Sequence, residues 1–210
     1  MENNPVFILL AGGKSSRMGV AKGLLKYNKT FWILEQIQRI SETGILHIYI
    51  GLGYDFQHYF DAIDWFEKAC ETPQKFLDLT ITIIINKNPE LGSFSTLQKV
   101  LFEIPIGLEL IINPIDTPIL SKSAFKQFLK TYNSVVIVNH LTKNGHPIKL
   151  EYVFWKHLKS LKLGDSESRL DIQIKKLAAS KITSLEVSDA AVLLNLNTPT
   201  EWKEYLNSYC

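Results

Sequence analysis

Two hydrophobic rhythms alternate along this chain. Short runs rich in Ile, Val and Leu are separated by longer stretches in which apolar residues return every three or four positions. The short runs suit buried strands and the long stretches suit amphipathic helices. Strands are expected near 5–10, 45–51, 79–85, 108–112, 134–139, 147–150, 183–187 and 192–196. Helices are expected near 31–43, 55–69, 95–103, 122–132, 152–161, 169–179 and 200–208. The clearest helix is 31–43, where Ile33, Leu34, Ile37 and Ile40 share a face and Gly44 suits the C-terminal cap. Alternation of this kind predicts a three-layer α/β/α fold, a mostly parallel sheet covered by helices. The aromatic residues between Gly51 and Leu79, among them Tyr59, Trp65 and Phe66, read as a core-packed helix.

Composition narrows the class. With 210 residues, 46% of them hydrophobic, the chain can bury one full core, so 1–210 is expected to be one domain. The net charge of +2 comes from 23 basic and 21 acidic residues mixed along the sequence, which gives no field suited to nucleic acid. Cys70 and Cys210 stand far apart with no metal-ligand spacing, so plain thiols are expected. The start Met1-Glu2-Asn3-Asn4-Pro5 lacks the features of a signal peptide, and no apolar run reaches membrane-spanning length. A cytoplasmic protein with no membrane partner is the expectation.

The chemistry concentrates after the first strand. The run Leu9-Leu10-Ala11-Gly12-Gly13-Lys14-Ser15-Ser16-Arg17-Met18-Gly19, followed by Lys22, crowds small residues and cations into one turn. Glycines let backbone N–H groups approach phosphate oxygens, and Lys14, Arg17 and Lys22 supply charge, so a triphosphate fits here. A Walker A loop would need glycine where Ile8 stands. A second segment, Asn113-Pro114-Ile115-Asp116-Thr117-Pro118, follows the predicted strand 108–112. Two prolines hold Asp116 in a rigid turn, where its carboxylate suits either magnesium or the capping of that turn. A third, Asn195-Leu196-Asn197-Thr198-Pro199, places two amides at i and i+2, on one side of an extended chain. Thr198 or Thr200 also suits the cap of the helix that follows. His146 before Pro147 reads as a structural turn residue, and Lys156, Lys159 and Lys162 as a solvated helix face.

Taken together, the L-A-G-G-x-S-x-R-M-G run with its following Lys22, the D-x-P at Asp116-Thr117-Pro118 and the N-x-N-T-P at Asn195 to Pro199 closely resemble the signature of the MobA/MocA-like nucleotidyltransferases. Asn88-Pro89 through Ser95, Gly145-His146-Pro147 and Leu163-Gly164-Asp165 resemble the MocA-like branch, whereas Gly12 and the N-x-N-T-P ending are more like the MobA branch. The resemblance implies a Rossmann-like, nucleotide-diphospho-sugar-transferase-like fold and Mg2+-dependent transfer of a nucleoside monophosphate from an NTP to a phosphorylated acceptor, molybdopterin in several members. It implies nucleotide contacts from Leu10, Ala11, Gly12, Gly13, Lys14, Ser15, Asn88 and Ser95, charge balance from Arg17 and Lys22, and a metal held by Asp116 and completed by Asn197. Relatives that use CTP tend to carry Ala at the position of Gly12; the missing methyl is expected to admit a purine, favouring GTP over CTP. A sugar-1-phosphate or other small-phosphate nucleotidyltransferase and a non-catalytic nucleotide-binding module are the alternatives.

Overall fold

A computed structural model describes residues 4–209; Cys210 lies outside the described residues. In chain order the elements are β1 (Val6–Ala11), β2 (Lys26–Tyr27), β3 (Thr30–Phe31), α1 (Trp32–Ser41), β4 (His47–Leu52), α2 (Phe56–Ala62), α3 (Lys68–Glu71), β5 (Gln74–Phe76), β6 (Leu79–Ile85) and α4 (Ser93–Glu103). The second half adds β7 (Leu110–Pro114), α5 (Lys122–Lys130), β8 (Val135–His140), β9 (Lys143–Leu150), α6 (Tyr152–Leu158), α7 (Leu170–Lys175), β10 (Ile182–Glu186) and α8 (Pro199–Tyr209). The main sheet has eight strands in the order β10-β8-β9-β7-β1-β4-β6-β5. All run one way except β9, antiparallel to β7 and β8, and β5, antiparallel to β6.

Alternation along β1 explains the layering. Phe7, Leu9 and Ala11 join a core with Trp32, Ile33 and Ile37 of α1, Phe125 and Phe128 of α5, and Trp202 and Tyr205 of α8. Val6 and Ile8 point the other way, to a second core with Leu97 and Val100 of α4, Trp155 of α6 and Ile174 of α7. The expected three layers and mostly parallel sheet are therefore present. Among the described residues no helix is long and apolar enough to cross a membrane.

Several elements depart from the sequence expectation. No strand forms over 192–196; Asp189 accepts from the Ala191 N–H at 3.1 Å and nucleates a 3-10 turn, Ala190–Leu193, instead. The helix expected over 55–69 breaks into α2 and α3, because an extended Ile63 turns Phe66 inward to stack on Tyr59, ring centroids 6.2 Å apart. That stretch is nonetheless core-packed as expected, with Tyr59 and Phe66 buried. Helix α6 stops at Leu158, short of 161, where the buried Gln98 amide donates to the carbonyls of Leu158 and Leu161 at 3.1 and 2.7 Å. Helix α7 ends at Lys175 rather than 179, the chain becoming extended at Ala178. Strand β9 begins at Lys143 rather than 147, as the second half of a hairpin whose turn puts Leu141 and Thr142 at φ 48° and 68°. No glycine marks that turn, which hid the hairpin. Pro147 falls where the β8–β9 register shifts, so its missing N–H costs no ladder bond.

Candidate active site

The order of the strands decides where a ligand can sit. Chain direction out of β1 leads to β4 on one side, while β7 lies on the other. The carboxyl ends of β1 and β7 thus flank a switch point, the usual place for a ligand in such sheets. A cleft of about 960 Å3 opens there. Its lining includes Leu10, Ala11, Gly12, Gly13, Ser15 and Lys22, then Asp116, Asn144, His146 and Asn195, and also Asp165, Arg169 and Lys175. Phe94, Leu97, Ile112, Ile137, Ile148 and Ile174 give it an apolar wall.

The loop after β1 is folded around Ser15. This residue adopts φ 51°, its carbonyl accepts from the N–H groups of Met18 and Gly19 at 2.9 and 3.2 Å, and its hydroxyl accepts from the Lys22 N–H at 3.2 Å. The next residue is also pinned, the Gly23 N–H donating to the buried Tyr59 hydroxyl at 3.2 Å. Burial raises that phenol above its ordinary value, so it stays protonated. A side chain at Gly23 would run into Tyr59.

The Asp116 loop is held from several sides. Trp32 Nε1 donates to the Ile115 carbonyl at 2.7 Å, and Gln36 Oε1 accepts from the Ile119 N–H at 2.9 Å. Asn113 Nδ2 spans the turn to the carbonyls of Pro114 and Thr117 at 2.9 and 2.8 Å. Thr117 Oγ1 donates to the Leu194 carbonyl at 2.9 Å, and the Leu196 N–H to the Asp116 carbonyl at 2.8 Å. This last pair brings the asparagine segment beside Asp116. The segment is fixed in turn by α8: Glu201 Oε2 accepts from the N–H groups of Asn197 and Thr198 at 2.8 Å each, and the Glu201 N–H donates to Thr198 Oγ1 at 3.3 Å. This is a capping box, and those N–H groups hold the Glu201 carboxyl below its ordinary value.

At the centre, Lys22 Nζ donates to Asp116 Oδ2 at 2.7 Å and to Asn197 Oδ1 at 2.6 Å. Two hard oxygens thus converge on one cation. Asp116 and Asn197 can hold a metal in the same way, a small ion of this class taking one or two carboxylates plus phosphate and water oxygens. Among the described residues no group of three His, Cys, Asp or Glu side chains could hold a metal, so an ion on Asp116 and Asn197 would need its remaining ligands from phosphate or water.

Other candidate residues are placed differently. Lys14 and Arg17 are exposed and do not line the cleft. Ser95 is buried, donating to the Gly92 carbonyl at 2.7 Å and accepting from Asn86 Nδ2 at 2.8 Å, and Asn88 offers it a carbonyl at 3.3 Å. Neither Asn88 nor Ser95 lines the cleft. Asn195 does, but its amide donates to Leu193, so the two asparagine side chains do not converge. The space beside Gly12 is not open to a purine, contrary to expectation. A Cβ there would lie 2.8 Å from Thr96 Oγ1, 3.0 Å from its Cγ2 and 3.2 Å from Gly53 N, so the missing methyl admits α4 and the β4 loop rather than a base. At Gly13 a Cβ would meet nothing within 4 Å.

His146 belongs to the site, which sequence spacing did not reveal. Its ring lines the cleft, Nδ1 is buried with no partner among the described residues, and burial pushes the imidazole below its ordinary value against the pull of Asp116.

Comparison with known proteins identifies the family. The profile of the MobA-like NTP transferase domain matches residues 7–179. The chain belongs to that family. It is a nucleotidyltransferase, and its substrate is a nucleoside triphosphate. A molybdenum cofactor guanylyltransferase from Xanthomonas euvesicatoria pv. vesicatoria is 22% identical over 201 residues, 95% of this chain and 93% of that one. Rv0371c from Mycobacterium tuberculosis H37Rv has the same fold, with TM-score 0.77 and 17% identity over 99% of this chain and 100% of that one. A second structure of Rv0371c, in complex with manganese, gives TM-score 0.71 at 15% identity, covering 98% and 99%. A nucleotidyl transferase from Methanothermobacter, Mth528, gives TM-score 0.74 at 15% identity, covering 98% and 97%.

Proposed function

We propose that this nucleotidyltransferase moves GMP from GTP to the phosphate of molybdopterin, with Mg2+ as its metal, in the cytoplasm. The observation that carries the reading is the convergence of Asp116 and Asn197 on Lys22, with Lys22 and Asp116 lining the same cleft as Gly12 and Gly13. Leu10 to Gly13 and Ser15 receive the base, ribose and first phosphate. An oxygen of the acceptor phosphate attacks the α-phosphorus in line, the bond from that phosphorus to the bridging oxygen breaks, and pyrophosphate leaves. Lys22 neutralises charge on the triphosphate as it redistributes, whereas Lys14 and Arg17, exposed outside the cleft lining, contribute at most long-range positive potential. Asp116 and Asn197 would hold the metal, which supplies further charge neutralisation when bound. Positioning and electrostatics therefore do most of the work.

Two things support the finer reading. The apolar wall from Phe94 to Ile174 suits a flat heterocycle better than a polyhydroxylated sugar. The guanylyltransferase relative favours GTP, now that the space at Gly12 no longer does. Pyrophosphate release measured over a grid of GTP and CTP, Mg2+ and Mn2+, and molybdopterin and sugar 1-phosphates tests all three choices. Greatest turnover is expected with GTP, Mg2+ and molybdopterin; turnover with a sugar 1-phosphate alone would replace the acceptor.

A further inference from the structure

Lys22 has two tasks that one position of its ammonium cannot serve together. A triphosphate lying along residues 10–15 needs Nζ beside the phosphates. In the structure Nζ sits instead between Asp116 Oδ2 and Asn197 Oδ1, at 2.7 and 2.6 Å. These are the two oxygens available to a divalent ion. An ion of magnesium's size binds oxygen at about 2.0–2.1 Å, so it and the ammonium compete for the same lone pairs, and two cations in that space repel.

We propose that Lys22 is an internal stand-in for the metal: with the cleft empty its ammonium fills the divalent site, and the arriving triphosphate draws it away and opens the site. The inference rests on the proposed function, in that it takes the same oxygens as metal ligands. Three observations support a movement confined to the side chain. The Lys22 backbone is fixed through Ser15 and, at the next residue, through Tyr59. The side chain keeps 14% of its exposure, enough for a flexible four-carbon stem to swing toward the cleft it lines. The other two cations of the glycine-rich loop, Lys14 and Arg17, are exposed outside the cleft lining, which leaves Lys22 placed to make the exchange. The consequence is order: the metal binds weakly alone, and nucleotide and metal assist each other by the same factor.

Mn2+ binding to the whole protein, read from the electron paramagnetic resonance of the free ion, tests this without turnover. In the absence of nucleotide, Lys22→Met, which keeps the stem and removes the charge, is expected to bind Mn2+ about tenfold tighter than the wild type, as for a competent state populated about one time in ten. A GTP analogue with a non-cleavable α,β bridge should tighten Mn2+ binding by the wild type, and about tenfold less so by the variant. Equal or weaker Mn2+ binding by a folded Lys22→Met protein overturns the proposal; Lys22→Ala serves the same comparison if the methionine variant does not fold. Asp116→Asn separates this failure from that of the function. If Asp116→Asn leaves Mn2+ affinity unchanged with the analogue bound, the metal is elsewhere and both readings fall. If it weakens binding while Lys22→Met changes nothing, only the stand-in role is lost.

Discussion

Lys22 Nζ and Asp116 Oδ2 stand 2.7 Å apart although 94 residues separate them in the chain. The contact exists because β1 and β7 are parallel neighbours, so the loops leaving their carboxyl ends face each other. Side-chain exposures of 14% and 21% leave the pair part-buried at the cleft wall, where solvent damps its contribution to stability. In the proposed mechanism its value lies in placing a cation and a carboxylate where the triphosphate would arrive.

Replacing that cation should therefore cost activity more than stability. Lys22→Ala is expected to lower turnover by about two to three orders of magnitude, the usual scale for removing one charge-stabilising group. Lys14→Ala is the control; its exposed side chain does not line the cleft, and its loss should matter far less. Equal pyrophosphate release by a well-folded Lys22→Ala protein would remove Lys22 from the mechanism.

The metal prediction concerns the facing oxygens. Asp116→Asn keeps a hydrogen-bond acceptor for Lys22, so unfolding free energy should fall by only about 1 kcal/mol while metal-dependent turnover is lost. Asn197→Asp adds a second carboxylate, and in the nucleotide complex it should tighten Mg2+ binding. An unchanged Mg2+ titration would exclude Asn197 from the metal site, and gross unfolding of Asp116→Asn would make its role structural.

Gly12→Ala should act on packing rather than on base choice. The new methyl meets Thr96 Oγ1 at 2.8 Å and the Gly53 backbone at 3.2 Å, and displacing Thr96 also disturbs its 3.0 Å bond from Asn86 Nδ2. A destabilisation of about 1–3 kcal/mol is expected, as for other overpacked sites, with the ratio of GTP to CTP affinity unaltered. Denaturant melts and nucleotide titrations on the same variant check both halves; a reversed base ratio at full stability would restore the methyl as a selector.

His146 gives a pH signature. Its folded-state value lies below the ordinary 6.5, chiefly through burial, so the unfolded chain binds the proton more readily. The stability this group contributes is complete above about pH 6.5 and is lost as pH falls through the depressed folded value. Unfolding free energy should decline on acidification through that window, and His146→Gln should flatten this part of the profile. An identical profile in the variant would assign the acid sensitivity to other groups.

The sequence by itself determined the layers and which segments are candidates for the site. Alternation in Val6 to Ala11 and the three-to-four spacing of Ile33, Ile37 and Ile40 follow from side-chain geometry within one element, which needs no partner to be read. The glycine-rich loop, Asp116 and Asn197 were legible as residue types whose chemistry suits a nucleotide and an ion. Tertiary structure decided what each one touches. Asn197 reaches Lys22 through a turn capped by Asp189 and a helix boxed by Glu201, not through a strand, and the missing methyl of Gly12 serves Thr96. His146 joined the cleft only because the β8–β9 hairpin turns on Leu141 and Thr142, residues that seldom announce a left-handed turn. Local pattern records how a residue relates to its own element; contacts between loops of distant strands depend on strand order, which enters only once the sheet is assembled.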